Sequence, residues 1–206
     1  MNVENIEVPF KGAAANSIST HWFQATKHIV PNHCLTMPHP NVLVAKKCQV
    51  FPVKFLVHGY LTDTPYSRLW SQYDREERNG CAHSLPNHMK KNQQLPEPLL
   101  VSFKEEILTK EEIATQQLMT EDEYEQCASY AMQLYEFGYQ YAKDRKMLLA
   151  NATYAFGKDA DGMVMVVGDL HSPESAHYWI EETYAQCMEK EKVCGNTRPQ
   201  IIYVGS

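Results

Sequence analysis

Residues 51–64 read FPVKFLVHGYLTDT, an apolar run ending in a Gly-Tyr corner, with His58 just before the corner and Asp63 just after it. An imidazole and a carboxylate delivered to a pocket by a buried strand suit proton transfer, because a histidine changes charge near neutral pH. A second polar set lies further on. Asn151 and Thr153 interrupt an apolar run at 147–156, and Asp169 closes another at 163–170. Alternation in such strands turns one face to a core and the other to a cleft. His58, His177, Asp169 and His171 are all metal-ligand types, but no helical H-x-x-x-H pair or C-x-x-C pair supports a metal, and none is expected.

The elements that must carry these groups are legible from pattern. Residues 17–30 predict a helix with Ser17 or Ser19 as its cap and Ile18, Trp22, Phe23, Ala25 and Ile29 for burial. Strands are predicted at 42–46 and 49–61, and residues 62–98 predict a long polar excursion around a site, with a short helix at 67–72. Residues 120–146 predict the longest helix. Thr120 and Glu123 have capping-box spacing, and a face running from Tyr124 through Tyr135 and Gly138 to Ala142 reads as core packing. Strands at 147–156 and 163–170 are joined by the turn KDADG, and a last helix is predicted at 175–190. The fold class is α+β, and residues 1–206 are expected to form a single domain.

Composition narrows the function. The chain has 206 residues, 44% of them hydrophobic, and a net charge of −6. That charge argues against a general nucleic-acid binder. No apolar run is long enough for a membrane span, and the start MNVENIEVPF lacks a basic segment followed by an apolar one. No membrane or nucleic-acid partner and a cytoplasmic location are expected. The six cysteines, Cys34, Cys48, Cys81, Cys127, Cys187 and Cys194, are scattered and read as free thiols, most of them in the core.

The ordered segments PFKGAAANSIS, HWFQATKHIVPNH, FPVKFLVHGYLT, LPEPL, LLANATYAFGKDADG and HSPESAHYW resemble the phosphoribosylaminoimidazole-succinocarboxamide synthases, the SAICAR synthetases, from about Pro9 to Trp179. The resemblance implies a large lobe with an antiparallel sheet and flanking helices. It also implies that the N-terminal lobe covering ATP is largely missing here. The family joins a carboxylated aminoimidazole ribonucleotide to aspartate, using ATP and magnesium.

Motif by motif, scaffold residues match and chemical ones differ. The family's R-G-Y-L-T-G-S is His58-Gly59-Tyr60-Leu61-Thr62-Asp63-Thr64 here. Lys104 stands for its Ser-Thr-Lys lysine. Its Asp-Thr-Lys-Phe-Glu-Phe-Gly is represented by residues 151–157, beginning at Asn151, and its Asp-Glu by Gly168-Asp169. Its Asp-Ser-Ser-Arg is Glu174-Ser175-Ala176-His177. The resemblance implies that two substrate arginines have become His58 and His177, and that two magnesium-ATP aspartates have become Asn151 and Gly168. A histidine is mostly neutral at pH 7, unlike an arginine.

These changes predict a protein that acts on a nucleoside- or nucleotide-like small molecule without ATP, as a lyase or hydrolase. Its acid–base groups would be His58, Asp169, Glu174 and His177, with Tyr60, Asp63, Thr64, Lys104, Asn151 and Ser175 holding the ligand. The alternatives are a nucleotide-binding, sequestering or regulatory protein without turnover, and a genuine ATP-dependent synthetase. No cofactor is expected, with Mg-ATP required only under the last alternative. The short, rearranged frame suits a viral or mobile-element gene. An uncovered cleft and sheet edge predict a homo-oligomer. Light scattering at micromolar concentration is expected to give a mass above that of one chain, and a monodisperse monomer would sink the idea.

Overall fold

In the computed structural model, which describes residues 9–75 and 85–190, the most apolar runs become the middle of one sheet. The chain runs α1 (Lys11–Thr26), β1 (Cys34–His39), β2 (Val42–Ala45), β3 (Gln49–Tyr60), α2 (Leu69–Asp74), β4 (Gln94–Phe103) and β5 (Ile107–Leu108). It continues through α3 (Lys110–Thr115), α4 (Glu121–Lys143), β6 (Met147–Lys158), β7 (Val164–Val167), β8 (Ala176–Ile180) and α5 (Glu181–Lys190). β1 and β2 form a separate hairpin, and the antiparallel main sheet has the order β5-β4-β3-β6-β7, with β8 also on β6.

The pairing around β6 sets the site. One edge of β6 bonds to β3. The other edge is shared: Ala155–Lys158 pairs with β7 and Met147–Ala152 pairs with β8. Two strands therefore lie end to end along one edge, and the chain must leave the sheet between them, at 168–175. Gly168 makes the exit at φ 79° and His171 follows at φ 52°, a region open to glycine and uncommon for other residues.

α4 covers one face of the sheet. The predicted capping box is present: Thr120 Oγ1 accepts from the Glu123 N–H, and the Glu123 carboxylate accepts from the Thr120 N–H. Cys127, Ala131, Leu134, Tyr135, Gly138 and Ala142 are its buried residues, the stripe read from the sequence. α3 has a second capping box, Thr109 with Glu112.

Several expected boundaries move. α1 starts at Lys11, because Ala13–Ala15 propagate the helix upstream of the expected serine caps. Gln94–Phe103 is a strand despite Pro96 and Pro98. The register skips from Tyr60↔Gln94 to His58↔Leu99, so both prolines fall in an irregular stretch where no ladder N–H is needed. The expected helix at 175–190 begins only at Glu181. Ala176–Ile180, with Tyr178, Trp179 and Ile180, instead completes the edge of β6.

Cys127 is buried, and Cys34 and Cys48 are partly buried; all three are free thiols. Cys81, Cys194 and His83 lie outside the described residues. No described helix is long and apolar enough to cross a membrane.

The closest approach of α4 to the sheet is at Gly59. A Cβ there would run into the Tyr135 hydroxyl, which donates to the Leu149 carbonyl at 2.7 Å. Gly59→Ala is expected to cost about 3 kcal/mol by overpacking, and Tyr135→Phe about 1 kcal/mol by loss of the hydrogen bond. Urea denaturation should show the double variant less destabilised than the sum, because removing the hydroxyl makes room for the methyl. Strict additivity would contradict the contact.

Candidate functional site

Three polar residues meet on the sheet face opposite α4. His58 on β3 pairs with Asn151 on β6, which pairs with His177 on β8. Directly paired residues share a face, so the three side chains form one cross-strand row. β-bulges break the register beside it, between His58 and Tyr60 and between Leu149 and Asn151. Such bulges re-aim side chains.

Within the row, His177 Nδ1 and Asn151 Oδ1 are 2.7 Å apart. An amide oxygen only accepts, so Nδ1 carries the hydrogen and Nε2 is left as the basic atom of a neutral ring. Burial holds the His177 pKa below its ordinary value. His58 is fully buried and neither ring nitrogen has a hydrogen-bond partner. Burial pushes its pKa down to about 4, against a smaller opposing pull from Asp63. His58 is therefore neutral at pH 7, where the family arginine would be a cation.

Asp169, Glu174 and Ser175 ride on the 168–175 loop that enters β8. Asp169 Oδ1 accepts from Ser19 Oγ of α1 at 3.1 Å, and Glu174 pairs with Lys11 of α1 at 3.3 Å. Ser175 Oγ accepts from the Ser172 N–H, and the Ser175 carbonyl accepts from the Thr153 N–H at 2.7 Å.

Four predicted ligand groups are engaged elsewhere or lie apart. Asp63 takes the Ser71 N–H and hydroxyl at 3.0 and 2.6 Å, anchoring α2. Thr64 Oγ1 accepts from the Ser67 N–H in a local turn. Tyr60 is buried against Trp179 and Tyr184. Lys104 follows Phe103, which pairs with Lys54, four residues and about 13 Å along β3 from the His58 row.

His171 faces away from the row. Its Nε2 is 2.8 Å from the Tyr154 hydroxyl on the α4 side of β6, so His58, His177, Asp169 and His171 do not converge. Sequence reasoning also missed a cleft of about 790 Å³ between α1, β1 and β7, lined by Phe23, Lys27, Met37, Lys46, Met163 and Met165 among others. None of the predicted site residues lines it. Its only sequence signal was the apolar face of α1.

With this geometry in place, comparison with known proteins decides the family. The SAICAR synthetase family model matches residues 2–194. The chain belongs to the SAICAR synthetase family. It is 35% identical over 190 residues to the phosphoribosylaminoimidazole-succinocarboxamide synthase of Legionella pneumophila (strain Paris), covering 90% of this chain and 61% of that protein. It is 39% identical over 184 residues to the chloroplastic synthase of Vigna aconitifolia, covering 87% of this chain and 54% of that one. The chain thus spans a little over half of the length of these curated relatives.

The fold matches a Saccharomyces cerevisiae SAICAR synthase complexed with SAICAR, with TM-score 0.75, 20% identity, and coverage of 94% of this chain and 76% of that one. It also matches a SAICAR synthetase in complex with ADP, with TM-score 0.71, 16% identity, and coverage of 92% and 77%. The α+β fold with an antiparallel sheet and flanking helices is therefore established.

These findings correct the functional expectation. Relatives sharing 35–39% identity over most of the chain are named as the synthase itself, which contradicts both the reading as an ATP-independent lyase or hydrolase and the expectation that ligase activity is lost. The expectation of no cofactor conflicts with the ADP-bound neighbour. The viral assignment has no support, since the matched relatives quoted are bacterial and plant proteins.

The buried imidazoles make acid stability a direct readout. The His58 pKa is pushed down to about 4 and that of His171 to about 3, both by burial. The unfolded chain takes up protons near pH ~6.5 while the folded chain does not, so stability is full above that value and falls with pH toward ~4 and ~3. At pH 5 the cost is about 2 kcal/mol per ring. His58→Leu is expected to flatten part of this decline and, by removing two unpaired nitrogens, to leave stability at pH 7 equal or higher. Chemical denaturation from pH 7.5 to 5 checks this, and an unchanged acid slope in the variant would refute the burial of a neutral His58.

Proposed function

We propose that this chain catalyses the SAICAR synthetase reaction, the ATP-dependent joining of aspartate to a carboxylated aminoimidazole ribonucleotide. The observation that carries the reading is 35–39% identity to named synthases across about 90% of the chain. ATP supplies the phosphoryl group that activates the carboxylate.

The 790 Å³ cleft suits a nucleotide by the chemistry of its lining. Met37 and Met163 offer thioether contact for a base over a floor of Phe23 and Met165, and Lys27 offers a cation at its margin, where Lys46 is paired with Asp159 at 3.0 Å. β7, which carries Met165, leads directly into Gly168 and Asp169.

Magnesium does not fit the described residues in the same way. Asn151 Oδ1 is taken by His177, Gly168 has no side chain, and Asp169 is a single carboxylate accepting from Ser19. No group of three or more His, Cys, Asp or Glu that could hold a metal occurs among the described residues. No step is therefore routed through a metal.

The remaining roles in this reading fall to the row. His177 Nε2 takes the proton released when the aspartate amine attacks. Asn151 fixes the imidazole tautomer that makes this possible. His58 shapes the floor of the site as a neutral ring. Because burial holds the His177 pKa below its ordinary value, the rate should stay level from pH 8 through about 6.5 and fall only at lower pH.

Purified chain incubated with ATP, magnesium, aspartate and the carboxylated ribonucleotide is expected to form SAICAR and ADP in equal amounts by mass spectrometry. His177→Gln should lower kcat about 100-fold. The absence of product at micromolar enzyme after hours would overturn the proposal.

A further inference from the structure

The 168–175 loop carries Asp169, Glu174 and Ser175, yet its outward ties are slight. Glu174–Lys11 is an exposed ion pair, and Asp169–Ser19 is one hydrogen bond. Leu170 is buried in the apolar core but has no directional bond to give. At the loop's far end the Ser175 carbonyl takes the Thr153 N–H at 2.7 Å, and the buried side chain that anchors the middle of the loop is His171, which is 2% exposed.

Its ring enters the α4 side of the sheet through φ 52°. Nε2 meets the Tyr154 hydroxyl at 2.8 Å, and the Trp22 ring packs edge-on at 4.6 Å. The Tyr178 hydroxyl donates to the His171 carbonyl at 3.2 Å. The ring has room only because α4 has a glycine beneath it: a Cβ at Gly138 would collide with the imidazole. The residue thus touches α1, α4, β6 and β8 at once.

We propose that His171 is the positioning residue of the site, an imidazole plug seated over Gly138 that fixes the 168–175 loop and so sets Ser175 and the start of β8, with His177, in register against Asn151. This rests on the synthetase reading for its catalytic consequence, and on the contacts alone for its structural one. A histidine that merely filled the core would set global stability. A plug sets the order of one loop and the rate that depends on it.

The test compares the intact chain, Gly138→Ala, and Gly138→Ala with His171→Asn. Amide hydrogen exchange and SAICAR formation are read on the same samples. In Gly138→Ala the added methyl displaces the imidazole. Exchange across 168–175 is expected to accelerate at least tenfold while β3 and β6 keep their protection, and kcat should fall at least tenfold. Asparagine adopts positive φ readily and relieves the clash, but it does not replace the ring contacts with Tyr154 and Trp22, so the double variant should exchange across 168–175 within threefold of the rate in Gly138→Ala.

Unchanged loop exchange in Gly138→Ala, equal acceleration throughout the sheet, or recovery of loop protection in the double variant would each overturn the plug. If the intact chain makes no SAICAR, the synthetase reading falls, and the exchange comparison still decides the role of His171.

Discussion

The constraint on which the rest depends is the shared edge of β6. A strand has two edges, and here β3 takes one whole edge while β7 and β8 divide the other. Backbone donors and acceptors along β6 are thereby satisfied over nearly its full length, as a buried strand requires. The division forces an excursion between two strands that would otherwise run as one. That excursion brings Asp169 against α1, sends His171 through to α4, and returns in register so that His177 lies opposite Asn151. The site is thus a consequence of how one edge is filled, and its loop is short because both of its ends are fixed by the same strand.

The polar row is costly where it sits. Leaving a buried polar group without a partner costs about 1–3 kcal/mol, and both nitrogens of His58 are in that position. Burial limits the penalty by keeping the ring neutral, against a smaller opposing pull from Asp63. Asp63 itself is bonded to Ser71 of α2. A site that relies on neutral imidazoles holds its ligand by hydrogen-bond geometry instead of net charge. That places more weight on the elements that fix the rings.

Much of the frame was legible. β3, β6 and α4 are long, strongly patterned and, for α4, marked by the Thr120–Glu123 box, so local signals and tertiary packing agree. β4 was hidden by Pro96 and Pro98, whose tolerance depends on a register skip that no local pattern shows. β8 was hidden because Ser-Pro-Glu-Ser mimics a helix start, while the residues after it are claimed by the free edge of β6. In the site, the identity of the row residues was readable, but the full burial of His58 was not, since burial depends on tertiary packing that no local pattern shows. His171 was readable only as a metal-ligand type, because nothing local shows that a glycine 33 residues earlier has left a slot for it.

The functional misreading has a physical cause as well. The altered positions read as an accumulation of losses, among them the aspartate and the arginine that the resemblance implies at Asn151 and His177. The structure joins them. Asn151 and His177 are partners at 2.7 Å across adjacent strands, so replacing an acid on one strand and a cation on the other removes equal and opposite charges and keeps a hydrogen bond between them. Two changes that look like the loss of a site are, in electrostatic terms, one neutral exchange. An unpaired buried charge is expensive, whereas exchanging a charged pair for a neutral hydrogen-bonded one is often close to neutral in stability. A sequence can accept that exchange and retain its scaffold, and a scaffold 35–39% identical to the synthases is what this chain has. The charge lost at His58 has no such partner within the row, and there the site departs furthest from the family pattern.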